Sequence, residues 1–503
     1  MRVIGDIARL GARRHPEKPA IVMGDRRLDY RALDAAADAL AGALAGRGIG
    51  PGARVALLAE NCVEFLEVAF GVLKSGAALV PLNFRYGPQE LDHVLADVAP
   101  TLLVAGPGYE EAAASSIARA APGTSLVTIQ GVGAGSLDAL RRETPAVPPE
   151  LDPGSVATIL YTSGTTGRPK GVMATHDATM RLLPMYGIEG GLSRDDVVLI
   201  CMPLFHGGGL VIQALSALYF GATVVLSGKG FNPRAVLDLV EDEGVTLTLW
   251  TPSMLALLTQ HPDAAPSPIR SIWYGSSSIT ETVFTAARRM FPRAEFSQWY
   301  GTTEATSIAI LRPSDHETRP RATGRAITGA EVRVVDESGS DVAPGEIGEI
   351  VVAATGTVMT GYYGNPAATA DTIRDGWLHT GDYAEIDTDG YFTIVGRGSD
   401  LIVTGGENVY PNEIEEVLAE HPAVVEVAVF GVPDEVYGDA IAAAVVASGD
   451  LDLEELRALV GERLARYKIP RVVRVVDQLP RNASGKVLRR ALSADFAADG
   501  AAS

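Results

Sequence analysis

Between Arg54 and Tyr300 the chain keeps returning to one unit, a short apolar run followed by a helical pattern and then another apolar run. RVALLAEN (54–61), ALVPLN (78–83), TLLVAG (101–106), SLVTIQ (125–130), VATILYTS (156–163), ATVVLS (222–227), VTLTLWT (245–251) and RSIWYGS (270–276) are the clearest runs. Apolar on both faces and separated by helices, they predict parallel strands of doubly wound α/β sheets. VEFLEVAFGVLKSG fills one gap as a helix, and residues 29–48 form another, with Tyr30, Leu33, Ala37, Leu40, Ala41 and Leu44 near helical spacing. The Gly- and Pro-rich stretch from Gly131 to Ser155 predicts a surface connection before a new sheet segment.

After about residue 320 the texture changes to short strands separated by glycine turns: AEVRVVD, GEIGEIVVAA and GYFTIVG. That predicts a small β-rich module. From Gly398 a compact α+β pattern follows, in which Asn412 caps a helix over EIEEVLAEHP, VVEVAVFGV and DAIAAAVVAS form strands, and LEELRALVGERLARY is a helix. The chain of 503 residues therefore divides at Arg397/Gly398, into 1–397 and 398–503.

Charge and cysteine content narrow the function. A net charge of −20 repels nucleic acid and anionic membrane, leaving a local pocket for a small anion. Two cysteines and eight scattered histidines exclude a disulfide framework and make structural zinc improbable. The apolar run Val63–Leu82 is broken by Glu64, Glu67 and Lys74, so no spanning helix is expected, and no targeting segment is visible. A cytoplasmic protein is the expectation.

YTSGTTGRPKG, Tyr161–Gly171, is the most informative stretch. It follows a strand and gathers the hydroxyls of Thr162, Ser163, Thr165 and Thr166 with Gly164, Gly167, Gly171 and Lys170. Glycines admit backbone N–H groups close to a phosphate, and the hydroxyls and ammonium add donors. The order is not that of a Walker A loop, because Lys170 lies between Pro169 and Gly171.

This stretch resembles the signature of the adenylate-forming superfamily, which includes acyl-CoA synthetases, firefly luciferase and peptide-synthetase adenylation domains. MPLFHGGG (202–209), YGSSS (274–278), YGTTEA (300–305), HTGD (379–382), GRGSDLIVTGGENVYPNEIE (396–415) and PRNASGK (480–486) resemble its later motifs, in order, over essentially the whole chain. The resemblance implies an α/β fold: a large N-terminal domain of two doubly wound sheets plus a small β-barrel, then a small mobile α+β domain.

It also implies a two-step reaction. A carboxylate attacks the α-phosphorus of ATP to give acyl-adenylate and pyrophosphate, and a thiol then displaces AMP. The Thr162–Gly167 loop and Lys170 would hold the leaving phosphates. Glu304, with Thr166, would hold Mg²⁺, which prefers hard oxygen ligands. Thr303 would bind the α-phosphate, Gly301 and Thr302 would contact the nucleotide beside it, and Tyr300 would stack on adenine. Gly275, Ser276 and Ser277 would contact adenine. Asp382 would accept the ribose hydroxyls, with Arg397 as a further donor. Lys486 would bridge carboxylate and α-phosphate as the catalytic lysine. Ser399 marks the hinge, where the family usually has Asp or Lys, and Gly405 and Gly406 would border the CoA tunnel. Arg463, Arg466 and Lys468 are candidates to meet the CoA 3′-phosphate.

His206 would gate the acyl end, with Gly207, Gly208 and Gly209 giving space after it. Gly301 stands where acetyl-CoA synthetases carry Trp, so an open pocket is expected. Trp299 and Leu257 replace the arginines of malonyl-CoA synthetases, which disfavours a dicarboxylate because a second buried carboxylate lacks a cation. Met254, Trp273, Tyr274 and Trp299 would line an apolar, aromatic-containing pocket. The expected activity is an ATP-, Mg²⁺- and CoA-dependent ligation of a medium- to long-chain fatty acid or an aryl acid. The alternative is transfer to a carrier-protein thiol or an amine. A small carboxylic acid, ATP and CoA are the expected partners, without nucleic acid; a homodimer stays open.

Overall fold

The computed structural model describes residues 2–133, 135–162, 168–261, 268–277, 279–404, 407–434, 437–449, 451–481 and 487–500. Two large mixed sheets dominate it. The first has seven strands, in the order Gly361–Tyr362, Lys170–Thr175, Val156–Thr162, Ala78–Pro81, Arg54–Leu58, Leu102–Ala105 and Ser125–Thr128. Its last five run parallel, as the doubly apolar runs require. The second has nine strands, centred on the parallel set Glu295–Tyr300, Ser271–Gly275, Leu247–Trp250, Val197–Ile200, Thr223–Leu226 and Pro19–Met23.

One large core joins these sheets. The helix Val63–Ser75 is apolar around almost its whole circumference, as a helix enclosed in such a core must be. It packs so closely on Tyr30–Gly46 that a Cβ at Gly71 would lie 2.6 Å from Leu40 Cδ2. Buried Glu67 on the same helix is paired with Arg141 at 2.8 Å.

A third sheet of five antiparallel strands holds Val332–Val335, Ile347–Ala353, Trp377–Ile386 and Ile373–Arg374, with Phe392–Arg397 also on Trp377–Ile386. Among the described residues it forms a half-barrel, the small β-barrel element expected. The fourth sheet is built from Glu407–Val409, Ile402–Thr404, Gly438–Ala447, Val424–Asp434 and Val472–Val475, with a core of its own. The chain is thus mixed α/β, with large N-terminal sheets and a small C-terminal α/β domain.

Local departures have plain causes. The stretch 131–155 contains the short helix Leu137–Arg141, capped by Ser136, with Leu137 and Leu140 buried. Asn412 lies inside its helix rather than at the cap: Pro411 occupies the first turn of Pro411–Ala419 and Tyr410 precedes it. Among the described residues no helix is long and apolar enough to cross a membrane.

Candidate active site

Strand pairing builds the first cluster. Asp382, on Trp377–Ile386, is the cross-strand partner of Arg397. Arg397 Nε lies 2.7 Å from Asp382 Oδ1. Tyr300, ending a strand of the nine-stranded sheet, donates its hydroxyl to Asp382 Oδ2 at 2.6 Å. Two sheets thereby meet on one carboxylate that is only 4% exposed. Burial, reinforced by the Asp382 charge, holds the Tyr300 phenol well above its ordinary range. For Arg397 burial works against the charge, but Asp382 together with Tyr300, Asp400 and Glu304 outweighs it and the guanidinium is held above its ordinary value. A carboxylate has about four lone-pair positions, so Asp382 keeps acceptor capacity for further hydroxyls.

The second cluster surrounds Glu304. Tyr362 donates its hydroxyl to Glu304 Oε1 at 2.7 Å, and Met359 N donates to the Glu304 carbonyl at 2.7 Å. Lys170 Nζ stands 5.0 Å from the Tyr362 ring centroid. The pairing of Gly361–Tyr362 with Val172 and Met173 sets this arrangement. Thr162 and Lys170 are cross-strand partners at the two ends of the phosphate-loop candidate. Between them Ser163, Gly164, Thr165, Thr166 and Gly167 lie outside the described residues. Among the described residues there is no group of three metal-ligating side chains. The Glu304 carboxylate is a hard oxygen donor of the kind Mg²⁺ takes one or two of, beside phosphate oxygens and water.

Adjacent strand tips are strained. Ser276 and Thr306 have φ of 73° and 52°, a region non-glycine residues rarely enter. Ser276 and Ser277 are exposed beside Gly275, where a Cβ would sit 2.2 Å from the Trp299 carbonyl oxygen. Thr302 Oγ1 accepts from Ala305 N at 3.2 Å, and Thr303 lies within the same turn, beside Glu304. Gly301 does not open space as expected. A Cβ there would fall 1.9 Å from the Thr306 carbonyl oxygen, so the glycine admits backbone rather than acyl chain.

The acyl candidates divide between faces. His206 precedes a π-helix, Gly208–Leu215, a rare form that is frequent at functional sites. Burial lowers the His206 pKa, and Nδ1 accepts from Gly208 N at 3.2 Å. A Cβ at Gly207 would meet only Leu160 Cδ1 at 3.8 Å, so space does exist there, whereas one at Gly209 would lie 2.4 Å from the Pro203 carbonyl oxygen. Trp299 and Trp273 belong to the inter-sheet core. Tyr274 does not join them. Side chains alternate along a strand, and Tyr274 lies in the core of the other face, hydrogen-bonded to His316 Nε2 at 2.9 Å. Met254 touches both cores and also lines a 360 Å³ crevice with Asn61, Arg85, Met202 and Lys229.

Ser399 is exposed in the single turn Gly398–Asp400. Arg489, which sequence reasoning missed, ties that turn to the C-terminal core, lying 3.5 Å from Asp400 and donating to both Glu415 oxygens at 2.7 and 2.9 Å. Lys468 is paired with Glu413 and Arg463 with Glu420. Gly405, Gly406 and Lys486 lie outside the described residues. Tyr362 was also missed; no feature of GYYGNP marks it without the fold.

A carboxylate, phenol and guanidinium cluster beside an anchored glutamate and a lysine is suited to nucleotide binding, and comparison with known proteins agrees. Residues 9–363 match the family described as AMP-binding enzyme, and 413–486 match the AMP-binding enzyme C-terminal domain. The chain belongs to the AMP-binding enzyme family. It is an AMP-forming acid–thiol ligase of the acyl-CoA synthetase type. A feruloyl-CoA synthase from an Amycolatopsis species is 40% identical over 485 residues, covering 95% of this chain and 96% of that one. The fatty acid–[acyl-carrier-protein] ligase ScoC of Streptomyces coeruleorubidus is 36% identical over 509 residues, covering 97% and 96%. ATP-bound MatB from Rhodopseudomonas palustris superimposes with a TM-score of 0.89 at 32% identity, covering 97% of this chain and 99% of that one.

Proposed function

We propose that this AMP-binding enzyme is an acyl-CoA ligase that activates an apolar carboxylic acid, fatty or aryl, as its adenylate and passes the acyl group to CoA. The observation that carries the reading is the buried Asp382 carboxylate with Tyr300 and Arg397 on it, next to Glu304 fixed by Tyr362.

In this reading Asp382 accepts the ribose hydroxyls while Arg397 and Tyr300 hold it in place, and Gly275, Ser276 and Ser277 border the adenine. Thr303 takes the α-phosphate, and Thr162, the Ser163–Gly167 loop and Lys170 take the leaving phosphates. Glu304, with Thr166, would hold Mg²⁺, which when bound offsets phosphate charge. Lys486 draws the carboxylate and α-phosphate together, lowering the repulsion between two anions. His206, kept neutral by burial, orients the acid without adding charge to an apolar pocket.

We place the domain division at Arg397/Gly398, with Ser399 as the hinge about which 398–503 rotates. That rotation removes Lys486 and brings Gly405 and Gly406 to the thiol's path.

Mass spectrometry of reactions with ATP, Mg²⁺ and an acid panel tests this. The expected result is acyl-adenylate and pyrophosphate without CoA, and acyl-CoA plus AMP with it. An adenylate that ignores CoA but loads a carrier-protein thiol or an amine would overturn the choice of acceptor.

A further inference from the structure

The strand Trp377–Ile386 is interrupted where it carries Asp382. On its neighbour Ile347–Ala353, Glu349 lies opposite Tyr383 and Val351 opposite His379, so Ile350 alone faces Thr380, Gly381 and Asp382. Three residues against one make a bulge, which bends a strand and re-aims a side chain. Asp382 is the residue re-aimed, with its carboxylate on Arg397 and the Tyr300 hydroxyl.

A bulge frees backbone groups that a regular ladder would pair, and each needs another partner. Thr380 Oγ1 donates to the Ile350 carbonyl at 2.8 Å and accepts from Asp382 N at 3.1 Å. Gly381 takes φ of 73°, in the left-handed region that suits glycine. Its N–H turns to Glu349 Oε1 at 3.0 Å. Glu349 Oε2 lies 2.7 Å from His379 Nδ1 and 3.8 Å from Arg374 Nη2. One carboxylate thus holds both the flank and the crown of the bulge.

Packing does not hold this turn. The position of a Cβ at Gly381 has nothing within 4 Å, so hydrogen bonds fix the backbone immediately before Asp382. The Glu349 and His379 side chains are 17% and 18% exposed, so water replaces little of what their removal would lose. Tyr300 and Arg397 hold the far end of the Asp382 side chain, and Glu349 secures the main chain at its root.

We propose that Glu349 is a positioning residue for the nucleotide: by holding Gly381 N–H and His379 it sets the backbone from which Asp382 reaches the ribose hydroxyls. The proposal rests on the ligase reading above, in which Asp382 accepts those hydroxyls. Glu349 acts through Asp382, and its own contacts stay within the third sheet. Placement matters at this scale, because a displacement of about 1 Å can cost roughly 100-fold in rate.

Acid-dependent pyrophosphate release with ATP and with 2′-deoxy-ATP tests this in the unaltered chain and in Glu349→Ala, Glu349→Asp and Glu349→Gln. The unaltered chain should prefer ATP by roughly 10- to 100-fold in kcat/KM, the worth of one hydrogen bond to a charged group. Glu349→Ala should lower kcat/KM for ATP by roughly tenfold or more and leave 2′-deoxy-ATP much less affected, so that the preference shrinks to about threefold or less. Glu349→Asp, one methylene shorter, should lose part of the preference and covers the case in which the alanine variant does not fold. Glu349→Gln, which still offers an acceptor to Gly381 N–H, should keep most of it. A parallel fall for both nucleotides, or a preference unchanged in Glu349→Ala and Glu349→Asp, would make Glu349 merely structural and overturn the proposal, while the ribose role of Asp382 would stand. Loss in Glu349→Gln as deep as in Glu349→Ala would also overturn it. Equal use of both nucleotides by the unaltered chain would overturn the ribose role itself, and this proposal with it.

Discussion

Asp382→Asn separates binding from scaffolding at the centre of the site. The replacement keeps the side-chain shape but removes the charge, and turns one of two acceptors into a donor. Both oxygens are in use, at 2.6 Å to Tyr300 and 2.7 Å to Arg397, so either the phenol or the guanidinium then faces an N–H₂ group. A hydrogen bond to a charged group contributes about 1.5–3 kcal/mol net. The Arg397 side chain is 38% exposed, so water recovers part of that loss and stability should fall by about 2 kcal/mol. If the same carboxylate accepts the ribose hydroxyls, kcat/KM for ATP should fall a further roughly 10- to 100-fold, from the same charge-assisted bonds. Denaturant midpoints measure the first effect, and ATP saturation of pyrophosphate release measures the second. Lost stability with unchanged ATP kinetics would refute the ribose role, and unchanged stability would refute the burial argument.

Tyr362→Phe keeps the ring under Lys170 but frees Glu304 Oε1, so kcat/KM for ATP should fall roughly tenfold, with half-saturation by Mg²⁺ moving upward; an unaltered Mg²⁺ titration would contradict this. Gly301→Ala should destabilise the chain by about 1–3 kcal/mol and lower activity on all acids alike, because the new methyl meets the Thr306 carbonyl. A changed chain-length preference would show that this position does face the acyl group. Burial lowers the pKa of His176 from 6.5 to about 4. The unfolded chain therefore takes up a proton first, and stability, complete above about pH 6.5, should decline by about 3 kcal/mol as pH falls to 4. Denaturant midpoints at pH 7 and 4.5 should converge for His176→Asn relative to the unaltered protein, and an equal acid loss in both would contradict the assignment.

The parallel strands were legible because burial on both faces forces continuous apolar runs, and each of the eight runs named from the sequence overlaps a strand. Trp377–Ile386 was not: its middle reads HTGD, polar residues that take strand geometry through pairing with Ile347–Ala353 on one side and Phe392–Arg397 on the other. At the site, Asp382, Arg397, Tyr300, Glu304 and Lys170 could be named from local motifs. Their mutual contacts could not, since Tyr300 and Asp382 are 82 residues apart. The pocket was least legible. Which face Tyr274 takes depends on strand phase, and what fills the space at Gly301 depends on the turn that follows it.

Acid-dependent exchange of label between pyrophosphate and ATP, measured without CoA, tests the adenylation claim most directly when run on the unaltered chain and on Lys486→Ala. The account predicts exchange in the unaltered chain and its loss in Lys486→Ala, with the variant still converting supplied acyl-adenylate and CoA to thioester. Exchange that required CoA, or equal loss of both half-reactions in the variant, would contradict it.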